Sequence, residues 1–399
     1  VKALVGLFVS VILAAGCGKG IESKPSGNDD KKKADKPAAT GPSKPADKKA
    51  TTGTTPSKTT SLTLGSWSTL KAELPREYKT APTATLLKDG RVLVWGHEAA
   101  AKGTILDVAK DAFTDAPDGR FPRREHAALG LKDGKVLLIG GANVPKNFYV
   151  MRSVAVFDPA ANTIDKSESM ASQRRGHSAH LGGDGKIYVI GGMAGGLVPP
   201  TRNIDMYDPA TKKWSIVGKL LVARFGHRTA DLGNNRILVV GGHDRDNPVK
   251  TLEVCTLGAK TTCKGLPLGS KREKPAVATL GGGKALVVGG QKIRGADEAI
   301  VFDAEAFTFK SVARPKSKRS GHAAVQVGEG RVLVVGGAEG GSGEAEIYDA
   351  ATDKWYECGR PSAKRFDGAA VKLADGRVLH VGGADAGGKP VTKVDVWTP

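Results

Sequence analysis

The chain has 399 residues, and its 60 Lys and Arg against 41 Asp and Glu give a formal net charge of +19. That length suits one large repeat array or more than one ordinary domain, and the charge favours anionic partners without by itself pointing to nucleic acid. Aromatic residues make up only 5%, while the 53 glycines are nearly twice the usual share of about 7%, which suits many short strands joined by tight turns.

Residues 1–17 read VKALVGLFVSVILAAGC: Lys2, an apolar run from Ala3 to Ala15, small residues, then Cys17. This is the pattern of a secretory signal, too short for a transmembrane span. Its end, LAAGC, resembles the lipobox of bacterial lipoproteins, with Ala14 where that family prefers Leu. The resemblance implies that Cys17 is lipidated and becomes the first mature residue, anchoring an exported protein to the cell envelope. Gly18, rather than Asp, then directs it to the outer membrane under the enterobacterial sorting rule. Residues 18–63 hold ten Lys and five acids among Pro, Ala, Thr and Ser. They have too little to bury to offset the entropy of ordering, and are expected to form a disordered tether.

From residue 64 the chain repeats. DGRVLVWGH (89–97), DGKVLLIGG (133–141), DGKIYVIGG (184–192), NNRILVVGG (234–242), GGKALVVGG (282–290), EGRVLVVGG (329–337) and DGRVLHVGG (375–383) are seven copies of one unit. Each is a turn dipeptide, a basic residue, four mostly apolar residues and a closing glycine, doubled except at His97. The period is near 48 residues, which places seven copies in 64–399. In the copy at 172–216, RRGHSAHLGG reads as an inner strand and Asp184-Gly185 as a hairpin turn. KIYVI reads as a fully buried strand, NIDMYDPAT as a third strand and KKWSIVG as the outer strand. Four antiparallel strands make one propeller blade. The third strand carries Tyr207 and the outer strand Trp214, and Tyr348 and Trp355 repeat the pair. Phe157 or Phe302 replaces the Tyr elsewhere, and Phe113, Ile164 or Phe309 stands near the Trp position.

With its double glycine and its spaced Tyr and Trp, residues 64–399 resemble the kelch family. The expected fold is all-β: a seven-bladed kelch-type propeller, four antiparallel strands per blade. The final VTKVDVWTP matches a third strand, so the outer strand of the last blade is expected from LGSWSTLKAELP (64–75), with Trp67 where Trp214 sits. Such closure removes an open sheet edge. Cys255 and Cys263 occupy the Tyr and Trp positions of blade four. Facing positions on a hairpin suit a disulfide, which an exported location permits; Cys358 is then left over.

His126, His177, His227 and His322 are one repeated position in four blades, spread round the ring, and read as structural. Galactose oxidase shares the fold and uses copper, but no matching ligand set is seen, so no metal or cofactor is expected. No nucleophile motif is present, and no catalytic residue is assigned. Three positions before that His stands a cation in every blade: Lys79, Arg123, Arg174, Arg224, Arg272, Arg319 and Arg365. The resemblance puts it in loops on the face around the central channel. Two readings stay open: an electropositive funnel for oxyanions, or a consensus residue satisfied by carbonyls and acids. The longest loops of that face add Phe148, Tyr149, Arg152 and Arg202, and blade four adds His243 and Arg245, a composition suited to contact with a protein or glycan. The resulting expectation is a monomeric, envelope-anchored binding module for an unknown protein or anionic glycan, with no nucleic-acid partner. The alternative is a sugar isomerase, like kelch propellers that epimerise sialic acid.

Overall fold

The computed structural model describes residues 64–97, 99–143, 149–195, 198–245, 247–270, 272–290, 299–337 and 343–399. All lie within one compact unit, Ser61–Pro399. The expected signal segment, Cys17, the tether and Phe148 lie outside the described residues.

Seven four-stranded antiparallel sheets form the blades, and the described residues contain no helix. Blade three is typical, with Ser178–Leu181, Ile187–Ile190, Asn203–Asp208 and Lys213–Lys219 adjacent in chain order. The second strand of every blade is buried on both faces, because a neighbouring blade covers each side; VLVW, VLLI and IYVI are buried at all four positions. This is why these strands are apolar runs rather than alternating patterns. The outer strand Lys213–Lys219 is mostly exposed or half-buried. The core accordingly lies between blades. Tyr188 and Ile190 of blade three pack with Ile237 and Val239 of blade four. Full burial of one such side chain contributes roughly 1.5–3 kcal/mol.

The third and outer strands meet in one register all round the ring. Leu106 faces Phe113, Phe157 faces Ile164, Tyr207 faces Trp214, Cys255 faces Cys263, Phe302 faces Phe309 and Tyr348 faces Trp355. The seventh pair is Trp397 and Trp67. Ser66–Thr69 completes the sheet of Asp395–Thr398, as expected, and Trp397 Nε1 donates to the Leu64 carbonyl at 3.2 Å. Val92 and Val94 of blade one then share a buried cluster with Leu379 and Val381 of blade seven.

Cys255 and Cys263 form a disulfide, with Cα atoms 4.1 Å apart. Cys358 is a buried free thiol, pushed up to about 12 by desolvation. The glycine pair is required by close approach. Gly191 and Gly192 have φ of 61° and 95°, and a Cβ on Gly191 would stand 2.7 Å from the Arg224 carbonyl oxygen.

Candidate functional site

Short bridges join the loop before each inner strand to the loop after the glycine pair: Arg124 with Ala142, Arg175 with Met193, Phe225 with His243, and Phe366 with Ala384. Both sets of loops therefore lie at one end of their blades, around one mouth of the central channel.

The repeated arginines do not line that mouth. Arg123, Arg174, Arg224, Arg272, Arg319 and Arg365 are only 0–2% exposed. Nη1 of each donates to the carbonyl of the first glycine of its own blade, at 2.8–3.3 Å. Four also pair with a carboxylate on the third strand: Arg174 with Asp205 (2.7 Å), Arg224 with Glu253 (2.5 Å), Arg319 with Glu346 (2.7 Å), and Arg365 with Asp395. The backbone carbonyls of Arg174, Arg224, Arg319 and Arg365 accept from the preceding blade, as Gly192 N–H donates to the Arg224 carbonyl at 2.8 Å. The expectation of an electropositive ligand-binding ring is thus corrected for these six residues. A buried guanidinium is tolerated only when paired and hydrogen-bonded; these partners lock each charge inside its own blade, and the backbone carbonyl ties the same loop to the blade before, so the residue acts as mortar. In blade two, Ala155 stands where the acid would be. Arg123 there donates to the Ser153 carbonyl and hydroxyl, and burial lowers its pKa to about 10. Lys79 is the exception: it is half-exposed and 3.6 Å from Glu77. In blade one, Arg76 and Tyr78 reach the third strand instead, both through Thr104.

Two residues after the repeated cation, the backbone is left-handed in all seven blades. The positions are Ala81, Glu125, Gly176, Gly226, Lys274, Gly321 and Asp367, with φ between 43° and 64°. Neighbouring blades join here, with Gly176 N–H donating to Glu125, Gly226 to Gly176, Gly321 to Lys274 and Asp367 to Gly321. This collar surrounds a cavity of about 620 Å³ that descends between the inner strands. Its charged groups are largely paired: Glu125 with Arg175, and Lys274 with Asp367 at 2.7 Å. Phe225 sits at the mouth, with the Arg175 guanidinium 5.4 Å from its ring centre and the His243 ring at 5.8 Å.

The four repeated histidines are buried beside the cavity. Burial, with the adjacent arginine charge next, lowers His126, His177 and His322 to about 3, and puts His227 well below its ordinary value. His126 Nε2 hydrogen-bonds the Thr83 hydroxyl of the previous blade, and His227 Nε2 the Ser178 hydroxyl, both at 3.0 Å. Where that place holds Ala127 or Ala276, His177 and His322 have no side-chain partner among the described residues. Their role is interblade packing, not convergence on one ion. Among the described residues, three side chains close enough to share a metal are Glu253, Cys255 and Cys263. Both sulfurs are in the disulfide and the carboxylate is held by Arg224, so no thiolate is offered.

The other expected contact residues do reach the open face. Tyr149, Arg152, Arg202 and Arg245 are exposed and His243 is half-buried; Arg202 Nε also donates to the Leu220 carbonyl at 2.6 Å. Sequence reasoning missed their apolar company. Of the five large apolar side chains exposed among the described residues, Phe121, Tyr149, Val198 and Leu221 are on loops of this face, and only Ile216 is on an outer strand. Their sector runs from blade two to blade four. Sequence reasoning also missed Arg228, which lines the cavity. It follows His227 directly, where the other blades have Thr83, Ala127, Ser178, Ala276, Ala323 and Ala369. One large cation among six small residues was visible in the aligned copies.

Residues 125–337, more than half the chain, match the model of the KLHDC2/KLHL20/DRC7 Kelch-repeats domain. The chain is 32% identical to Kelch-like protein 25 of Homo sapiens over 161 residues, 40% of this chain and 24% of that protein. It is 29% identical to Alpha-scruin of Limulus polyphemus over 170 residues, 41% of this chain and 18% of that protein. The matched part thus spans a quarter or less of these relatives' length. A fungal alcohol oxidase of the AA5 family, in complex with copper, superposes with a TM-score of 0.67 at 20% identity, covering 84% of this chain and 76% of that one. YjhT superposes with a TM-score of 0.56 at 17% identity, covering 81% and 95%. At such identities these two structures speak for the fold alone.

Proposed function

The chain belongs to the kelch-repeat family, and from that premise we propose that it is a protein-binding module whose contact surface is the loop face of blades two to four. The observation that carries this is the gathering of Phe121, Tyr149, Val198 and Leu221 on one face, interleaved with Arg152, Arg202 and Arg245. Aromatic anchors with arginine are the composition of binding hot spots. The mortar arginines hold this face rigid and take no part in contact. We further propose that the module is exported and lipid-anchored through Cys17, with residues 18–63 as tether. The Cys255–Cys263 disulfide supports an oxidising location. The isomerase alternative needs an acid–base pair in the channel, and the carboxylates there, Glu125 and Asp367, are held by Arg175 and Lys274.

The test is capture from envelope extract by immobilised residues 64–399. A partner retained by wild type should be lost with Tyr149→Ala plus Arg152→Glu, and kept with Lys186→Glu on a hairpin at the opposite end of blade three. Equal loss from both variants would refute the assignment of the face. Cys17→Ala should move the full chain from the membrane fraction to the soluble one; an unchanged distribution would refute the anchor.

A further inference from the structure

We propose that the central channel is itself a small-molecule site, taking a singly charged carboxylate that is anchored by Arg228. This does not depend on what docks on the outer face. Arg228 opens the inner strand of blade four and lines the cavity, half-buried. Its guanidinium makes no hydrogen bond and no ion pair among the described residues, while its backbone stays in the ladder opposite Val240. The other cations of the lining are committed, Arg175 to Glu125 and Lys274 to Asp367. With the four repeated histidines neutral, the three cations Arg175, Arg228 and Lys274 face the two carboxylates Glu125 and Asp367, and the excess positive charge sits on Arg228.

A half-buried guanidinium with five donors and no partner is an unfilled demand for acceptors. Asp367 attracts it through space without reaching it, while desolvation still lowers its pKa. A planar carboxylate matches the guanidinium fork and would neutralise the excess charge. A dianion such as phosphate would leave one negative charge facing Glu125 and Asp367. The volume, about 620 Å³, falls in the range of small-molecule sites and far exceeds what a lone inorganic ion fills. The remaining wall suits a carbon skeleton: Ala276, Val277, Ala323, Ala324 and Pro82, with Phe225 at the entrance.

The probes are benzoate and glucuronate, with benzamide, glucose, inorganic phosphate and chloride as comparisons, titrated calorimetrically into residues 64–399. Either carboxylate should bind saturably, and its neutral counterpart should not. Arg228→Gln should weaken carboxylate binding roughly tenfold to a hundredfold, the worth of a charge-assisted hydrogen bond, and Arg228→Lys should retain part of it. Lys213→Gln, on the exposed outer strand of blade three and outside the cavity, should leave affinity unchanged. If Arg228→Gln fails to fold, competition between the probes and chloride on wild type decides instead. The proposal is overturned by carboxylate binding that survives Arg228→Gln, by equal response to phosphate or chloride, or by no saturable binding of either carboxylate. Loss of partner capture in the face variants, with carboxylate binding intact, separates this site from the outer surface.

Discussion

Arg224 and Glu253 form a wholly buried ion pair, 2.5 Å apart, in which the carboxylate also accepts the backbone N–H groups of Leu221 and Val222 at 2.6 and 3.0 Å. One acid thus holds both the mortar arginine and the chain entering blade four. Glu253→Ala leaves a buried guanidinium and two amides without their acceptor, and should cost about 3–5 kcal/mol. Denaturant unfolding should show this loss, with Glu253→Gln intermediate. A cost under about 1 kcal/mol, the value of a surface pair, would contradict the mortar role.

Strand Ser66–Thr69 closes the ring against Asp395–Thr398. Deleting residues 1–63 should leave the melting temperature nearly unchanged. Deleting through Leu74 removes a buried side chain of the seam between blades seven and one and bares a sheet edge, so melting should fall sharply and aggregation rise. Equal melting of the two truncations would refute the closure.

The histidines make the fold acid-labile. His126, His177 and His322 titrate at about 3 when folded, because burial disfavours the imidazolium, against about 6.5 in an unfolded chain. Between those values the unfolded chain binds more protons, so stability is present above pH 6.5 and lost as pH falls. Each histidine contributes up to about 1.4 kcal/mol per pH unit. His322→Gln should flatten the slope of unfolding free energy against pH between 6 and 4. An unchanged slope would mean that the ring is solvated.

Ala81 occupies the collar with φ of 43°, a conformation costing an L-residue roughly 1–2 kcal/mol. Ala81→Gly should therefore stabilise the protein by about 1 kcal/mol, measured by denaturant midpoint. Destabilisation would show that the Ala81 methyl packs usefully at the channel mouth.

The short loop between Cys255 and Cys263 predicts that the disulfide contributes about 2–3 kcal/mol. Reduction, or Cys255→Ser with Cys263→Ser, should lower stability by that amount while all seven blades persist. No change on reduction would show that the wild-type thiols are not joined.

The blade pattern was legible because close packing imposes the same residues at the same places. Gly191 and Gly192 have no room for a Cβ, and the pair Tyr207 and Trp214 recurs as Trp397 and Trp67 only if the first strand belongs to the last blade. The environment of the arginine ring was less plain, since an arginine near a loop suits a rim or an interior equally. What decides is an acid 27–31 residues later, at Asp205, Glu253, Glu346 and Asp395. Loops of different length move that acid along the chain, so a fixed-spacing comparison passes over it. Arg228 was illegible for another reason: the repeat is defined by what its copies share, and the meaning of Arg228 lies in what six of them lack.

The pairing of Trp67 with Trp397 also sets an order of events at synthesis. The first strand leaves the ribosome some 330 residues before its partner, a wait on the order of tens of seconds at about 5–20 residues per second. Through that interval its indole and its backbone edge have nowhere to dock. Blades one to six can assemble in turn as they emerge, but the ring locks only when Asp395–Thr398 arrive. A chain stalled before Asp395 therefore keeps that indole and that strand edge exposed.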